Sequence, residues 1–372
     1  MLPLYYEYHN PVKILSGEAA LENIPYELYA LNAHAPLLLS DQGLQKVGAV
    51  DTVLHAIAPT VPKAIFTDIP ADSSVAVVNR IAAYYKAQGC DSILAVGGGS
   101  VIDTAKGVRM VISQGTNDIE LLMGCEVLTA GQQIPFLAVP TTAGTGSEVT
   151  PVAVISNPAQ QVKQEYISAH LLPDAAILDL RMTMTLPPKV TASTGIDALC
   201  HAIESFTCLQ KNPMSDAYAA GAIPMILHYL PIAAAHPGNK EARMAMANAS
   251  LMAGTAFGNS MVGLVHAIGH ALGGVCHVAH GDAMSILLPH VMAYNLDKCR
   301  EGYSDLLLYL AGPEVYCATP ANRRAEKAVE VVAQFIASFA AYGLPMCLKD
   351  TGRVDPAQFQ QVAETAISDG AI

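Results

Sequence analysis

The densest collection of reactive side chains lies between residues 193 and 290. The segment STGIDALCHAIES (193–205) places Asp197 and His201 four residues apart, so on a helix both side chains share one face. GLVHAIGHALGG (263–274) repeats that spacing with His266 and His270, and CHVAHGDAM (276–284) adds His277 and His280. Five of the 12 histidines fall between 266 and 290, in the least charged part of the chain. A single histidine is ordinarily a core or surface residue. Two i, i+4 pairs followed by further histidines are instead the donor set of a divalent transition metal. Neutral imidazoles with one carboxylate suit Fe(II) or Zn(II) better than a hard ion such as Ca(II). The H-E-x-x-H motif of zinc proteases, whose glutamate is the general base, does not occur.

A second chemistry shows earlier in the chain. LAVGGGSVID (94–103) is an apolar run entering three glycines, a serine and a helical pattern. Glycines there allow close backbone approach, and the amides opening a helix attract anions. AVPTTAGTGSEVT (138–150) carries five hydroxyl residues and two glycines after another apolar run, more donors than a plain connection needs. Two such loops after neighbouring strands make a pyrophosphate crevice. Asp41, just after PLLLS, is placed either to accept hydrogen bonds from an adenosine ribose, which favours NAD over NADP, or to cap a helix.

These residues need elements to hold them. Runs at 13–16, 36–40, 63–67, 92–98 and 135–140 alternate with helical spacing over 42–57, 73–88 and 101–113, the pattern of a parallel sheet covered by helices. Runs at 152–156 and 164–168 predict a hairpin appended to that sheet, and 175–179 its last strand. Beyond Thr185-Leu-Pro-Pro188 helical spacing takes over, with loops at His236, Gly312-Pro313 and Gly343. The expected fold class is therefore an α/β domain over 1–182 followed by an all-α domain over 183–372. No internal repeat is visible.

Composition narrows the function. The chain has 372 residues, 14% charged and 52% hydrophobic. Typical domains carry about 25% charged residues, so this shortage predicts burial between subunits, a homo-oligomer. A net charge of −12 argues against a nucleic-acid partner. Eight dispersed cysteines without C-x-x-C suit reduced thiols in a cytoplasm, and MLPLYYEYHNPVKILSG has neither the basic nor the apolar region of a signal peptide. The uncharged stretch 244–281 holds four histidines and two asparagines, which makes it a poor membrane span. No Lys or Arg occurs over 244–297 or 190–210, so the metal segments offer no cation to an anionic substrate. A small neutral substrate fits better.

Taken in order, GGGSVIDTAKG, PTTAGTGSEVT, TGIDALCHAIES, GLVHAIGHALGG and HGDAMSILLPHVMAYN resemble the iron-containing alcohol dehydrogenases, a family that includes lactaldehyde reductases, 1,3-propanediol dehydrogenases and butanol dehydrogenases. The resemblance implies a dehydroquinate synthase-like architecture, with a dinucleotide-binding first domain and a metal-binding second one. It implies that Asp197, His201, His266 and His280 bind one divalent metal, Fe(II) before Zn(II), and that His270 relays a proton. It assigns NAD(H) contacts to Asp41, Gly98, Gly99, Ser100, Asp103, Thr141, Thr142, Thr145, Ser147 and Lys163, and a substrate pocket to Thr150, Val152 and Phe257. Asp103 and Lys106 also fit as residues on a helix surface, the reading preferred for Lys106. The chain departs from the family pattern at Asp72, where many members carry asparagine, and it stops at SDGAI, earlier than many relatives.

The activity so implied is hydride transfer between NAD(H) and a small neutral primary alcohol or aldehyde. At pH 7 an alcohol is almost wholly un-ionised, and a divalent metal can lower such a pKa to about 7. Glycerol dehydrogenase-like or maleylacetate reductase-like chemistry is the nearest alternative. A dehydroquinate synthase-like lyase is further off, since it needs cations around a phosphorylated acid.

Overall fold

Six short apolar runs form one parallel sheet: β1 (Lys13–Gly17), β2 (Pro36–Leu39), β3 (Ala64–Phe66), β4 (Ser92–Gly97), β6 (Phe136–Pro140) and β9 (Ala175–Asp179), in the order β1-β9-β6-β4-β2-β3. The computed structural model describes residues 3–125 and 131–371. Strands β2, β4, β6 and β9 are buried at every position, as a sheet covered on both faces requires. Alternate residues serve two cores. Leu37, Leu39, Ile93, Ala95 and Phe136 face one, while Leu38, Leu94, Val96, Leu137 and Val139 face the other. Each of these side chains larger than alanine contributes roughly 1.5–3 kcal/mol of burial free energy. Helices α4 (Val75–Gln88) and α5 (Gly99–Ser113) cover the first core; α1 (Ile24–Ala30) and α3 (Ala49–Ala56) cover the second.

Two sequence expectations are corrected. The helix expected over 42–57 is split into α2 (Gln42–Lys46) and α3, because Gly48 takes a left-handed φ of 78° between them. The hairpin of β7 (Val152–Asn157) and β8 (Val162–Ile167) does not extend the main sheet. It pairs with β5 (Gly124–Cys125) as a separate three-stranded sheet. Its burial alternates along each strand, which fits a sheet covered on one face, and its inner residues Ala153, Ile155 and Tyr166 join the first core.

Strand β2 leads outward to β3, whereas β4 lies on the other side of β2 and leads away toward β6. The reversal opens a crevice at the carboxyl ends of β2 and β4. Asp41 follows the first of these strands and the three glycines follow the second.

The described residues from His9 to Thr185 form this unit; those from Leu186 onward, with the described residues ahead of His9, form the other. Those early residues, expected in the first unit, are tied into the second by Tyr8, whose ring stacks on Tyr218 at 6.2 Å with a hydroxyl–hydroxyl hydrogen bond of 3.2 Å. The second unit is helical: α6 (Pro188–Thr207), α7 (Pro213–Ala235), α8 (Lys240–Phe257), α9 (Leu264–Cys276), α10 (His280–Tyr294), α11 (Arg300–Ala318), α12 (Arg324–Ala337) and α13 (Phe359–Ile367). Gly312, expected in a loop, leaves the helical conformation at φ 81° and divides α11 into two helical segments. Among the described residues α7 alone is long and apolar enough to span a membrane, with a mean hydropathy of 1.4. It packs against α6 and α8 and contains Pro224 and Pro231.

Candidate metal and cofactor sites

Helix α6 presents Asp197, His201 and Glu204 at i, i+4 and i+7, all buried. Helix α9 brings buried His266 and His270, and α10 opens at His280. Gly281 makes that last approach possible, because a Cβ there would stand 2.9 Å from the Ser193 carbonyl oxygen on α6. Ligand atoms of Asp197, His201 and His266 all lie within 4.8 Å of one another. Asp197 Oδ1 is 3.2 Å from His280 Nε2, 3.7 Å from His266 Nε2 and 4.0 Å from His201 Nε2. The His201 and His266 rings stack at 4.5 Å, and Phe257 covers the other side of His201 at 4.2 Å.

Asp197 Oδ1 and His266 Nε2 are buried without a hydrogen-bond partner. Orphaned groups of this kind cost free energy unless something else satisfies them. A carboxylate oxygen and an imidazole nitrogen facing a common point are what a transition-metal ion takes. The residues present therefore fit a divalent cation. Burial opposes charge on Asp197, yet the imidazoles of His201, His280 and His266 hold its carboxyl well below the ordinary 3.8. Burial likewise opposes charge on His266, but Asp197 and Glu204 outweigh it and raise the imidazole to about 10. At His280 burial prevails and lowers the pKa below 6.5.

Two acidic residues that the sequence reading missed complete the surroundings. Glu204 Oε2 lies 2.5 Å from His266 Nδ1, and Asp369 Oδ2 lies 3.1 Å from His270 Nδ1. Glu204 was findable, since it continues the helical face of Asp197 and His201. Asp369 was not, standing 99 residues from its partner. His277, by contrast, is exposed and ends α9 in a left-handed conformation at φ 57°.

The first unit carries the other candidates. No side chain caps α5, so its opening amides are available to an anion. The glycine turn and the threonine loop touch closely: a Cβ on Gly98 would lie 3.2 Å from Thr142 Oγ1, and one on Gly99 would lie 2.8 Å from Thr145 Cγ2. Thr141 donates its amide to Gly97, and Thr145 Oγ1 accepts from the Ser147 amide. Asp41 caps α2, accepting from Leu44 N at 2.8 Å. Asp72, in the left-handed region at φ 52°, receives Lys163 at 2.7 Å and donates its own amide to Ser100 Oγ at 3.3 Å. Lys163 and Ser100 are thus gathered at one point.

Lys106 is not on a helix surface. It is completely buried, donating to Thr150 O, Thr150 Oγ1 and Val152 O at 2.9, 3.1 and 2.6 Å. Burial lowers the ammonium to about 8 against the pull of Asp103 and Glu148. Asp103 accepts from Ser147 Oγ at 2.5 Å and Val154 N at 3.1 Å, tying α5 to the exit of the threonine loop. Thr150 and Val152, expected in a substrate pocket, contact Lys106 here, and Phe257 contacts His201.

Comparison with known proteins decides the family. Residues 11–180 match the iron-containing alcohol dehydrogenase model and residues 191–372 match the model of the family's C-terminal part. The chain belongs to the iron-containing alcohol dehydrogenase family. As such it is an oxidoreductase of the alcohol dehydrogenase type. This alcohol dehydrogenase is 36% identical to the 1,3-propanediol dehydrogenase of Klebsiella pneumoniae over 368 residues, 98% of this chain and 93% of that one. The crystal structure of a 1,3-propanediol oxidoreductase matches it with a TM-score of 0.92 at 35% identity, covering 99% of this chain and 94% of the other. The sulfoacetaldehyde reductase of Bifidobacterium kashiwanohense, solved with NAD+, matches with a TM-score of 0.85 at 28% identity, covering 100% and 94%.

Proposed function

We propose that this enzyme exchanges a hydride between NAD(H) and a small neutral primary alcohol or aldehyde at a single divalent metal, Fe(II) in preference to Zn(II), held by Asp197, His201, His266 and His280. The observation that carries the reading is the convergence of three buried ligand atoms within 4.8 Å, two of them orphaned. When bound, the cation supplies the positive charge that acidifies a hydroxyl or polarises a carbonyl, and the nicotinamide supplies the two-electron exchange.

The chain's own residues do the rest. His270, whose Nδ1 lies 3.1 Å from Asp369 Oδ2, is the residue that holds or moves the proton of the substrate oxygen. Phe257 shields His201 from water. Gly98, Gly99 and Ser100 with Thr141, Thr142, Thr145 and Ser147 bind the pyrophosphate, supported by Asp103 and Lys163. Asp41 bonds the adenosine ribose through the oxygen not used in capping and repels a 2′-phosphate, which favours NAD over NADP. Thr150, Val152 and Phe257 remain the proposed substrate contacts.

The preference for a neutral substrate follows from the absence of Lys and Arg within the ligand-bearing segments 190–210 and 244–297; Lys189, just ahead of the first, is paired with Asp282. The low charge content supports a homo-oligomer, and the free cysteines support a cytoplasmic setting. The test is an anaerobic screen of NADH oxidation over C2 to C6 aldehydes, dihydroxyacetone and 2-oxoacids. Highest kcat/KM for a neutral aldehyde is expected; a 2-oxoacid or dicarboxylate turning over far faster than propanal overturns the substrate assignment.

A further inference from the structure

We propose that Glu204 is a positioning residue for the metal centre: its carboxylate fixes His266 in the tautomer that presents Nε2 as a ligand. This rests on the metal reading above and adds a residue to it. Glu204 is buried and accepts two hydrogen bonds, from His266 Nδ1 at 2.5 Å and from the Val265 amide at 2.7 Å. An ionised carboxylate only accepts, so the proton in the first bond belongs to Nδ1. A ring that binds a cation through Nε2 gives up the proton there and keeps the one on Nδ1, and Nε2 is the atom that faces Asp197 Oδ1 at 3.7 Å and has no hydrogen-bond partner. A carboxylate on the remote nitrogen of a ligating histidine also raises the basicity of the coordinating one.

The second bond explains why the residue must be glutamate. Helix α9 begins at Gly263, which offers no capping side chain, and the Glu204 carboxylate from α6 satisfies an amide of its first turn instead. Gly263 leaves the room this needs: a Cβ there would sit 3.1 Å from Glu204 Oε1. Glutamine has the same size but a single acceptor oxygen. Given to Val265, that oxygen leaves an NH2 facing Nδ1 and drives the ring proton to Nε2. Given to Nδ1, it leaves the NH2 against the Val265 amide, donor to donor. Either arrangement spoils one of two bonds that two carboxylate oxygens make together.

The experiment compares Zn(II) affinity of the metal-free parent, Glu204→Gln and Asp197→Ala by competition with a chromophoric chelator, with NADH affinity and thermal midpoint measured on the same samples. Glu204→Gln is expected to bind Zn(II) about 10- to 100-fold more weakly with NADH affinity unchanged. A folded Glu204→Gln protein within about twofold of parental Zn(II) affinity overturns the role. Asp197→Ala distinguishes the reasons: if it also keeps parental affinity the metal reading has failed, and if it loses Zn(II) only the Glu204 assignment has. Should Glu204→Gln not fold, the Zn(II)-loaded parent answers by nitrogen NMR on labelled histidine. The signal lost in His266→Gln should carry its proton on Nδ1; a proton on Nε2 overturns the proposal.

Discussion

Asp197 and His270 are set apart by the kind of group that each one meets. Three imidazoles lie within 4.0 Å of Asp197 Oδ1, whereas His270 Nδ1 lies 3.1 Å from the Asp369 carboxylate. The first arrangement suits a ligand and the second a mobile proton. His270→Ala should therefore keep its metal while kcat falls about 10²-fold or more. Metal analysis beside turnover checks this, and an unaltered pH–rate profile would reduce the residue to packing. Asp41→Gly should relax discrimination against NADPH at little cost to α2, because glycine is a tolerable cap; an NADH/NADPH ratio of kcat/KM equal to the parent's would remove Asp41 from the cofactor site. The histidine pairs were legible because i, i+4 spacing fixes a shared face before any tertiary contact forms. Lys106 was misread because one lysine gives no periodic signal. Val101, Ile102, Ala105, Val108 and Val111 lie mostly on the side of the helix away from it, which reads as an ordinary half-covered helix, whereas in the fold every residue from Thr104 to Ile112 is buried.

Helix α5 is where fold and site are joined most tightly. Its opening glycines abut the threonine loop, and its second and third turns send Asp103 and Lys106 to that loop's exit. Gly99→Ala should push Thr145 away and weaken NADH binding at unchanged metal content; equal affinity in a fluorescence titration would count against the two-loop arrangement. Glu148, buried beside Lys106, has its carboxyl raised by burial from 4.5 to about 7. The unfolded chain therefore ionises Glu148 before the folded one does, and stability falls as pH rises from about 4.5 to 7. Glu148→Gln should abolish that fall, worth at most about 3 kcal/mol, as read from urea midpoints at pH 5 and 8. Parallel midpoints in parent and variant would contradict it. The sheet strands were readable as continuous apolar runs, yet the sequence reading missed β5 and placed β7 and β8 in the wrong sheet. Strand identity is local, whereas sheet membership is set by tertiary pairing: β9, and not the hairpin, takes the place beside β6 and pairs with β1 on its other side.

At the scale of the molecule, a chain of 39.1 kDa with 14% charged residues has little polar material with which to cover itself. Light scattering should return a multiple of 39.1 kDa; a monomer at micromolar concentration would remove the proposed assembly. The division into an α/β unit and a helical unit was visible as a change of periodicity near Thr185, while the return of the N-terminal residues to the helical unit was not, since it rests on Tyr8 meeting Tyr218, 210 residues away. The central claim is that Asp197, His201, His266 and His280 hold one catalytic ion. Anaerobic metal analysis of the reconstituted parent, Asp197→Ala and His266→Ala tests it most directly. The account predicts one divalent ion per chain in the parent, with little or none and no turnover in either variant; full metal content and parental turnover in both would contradict it.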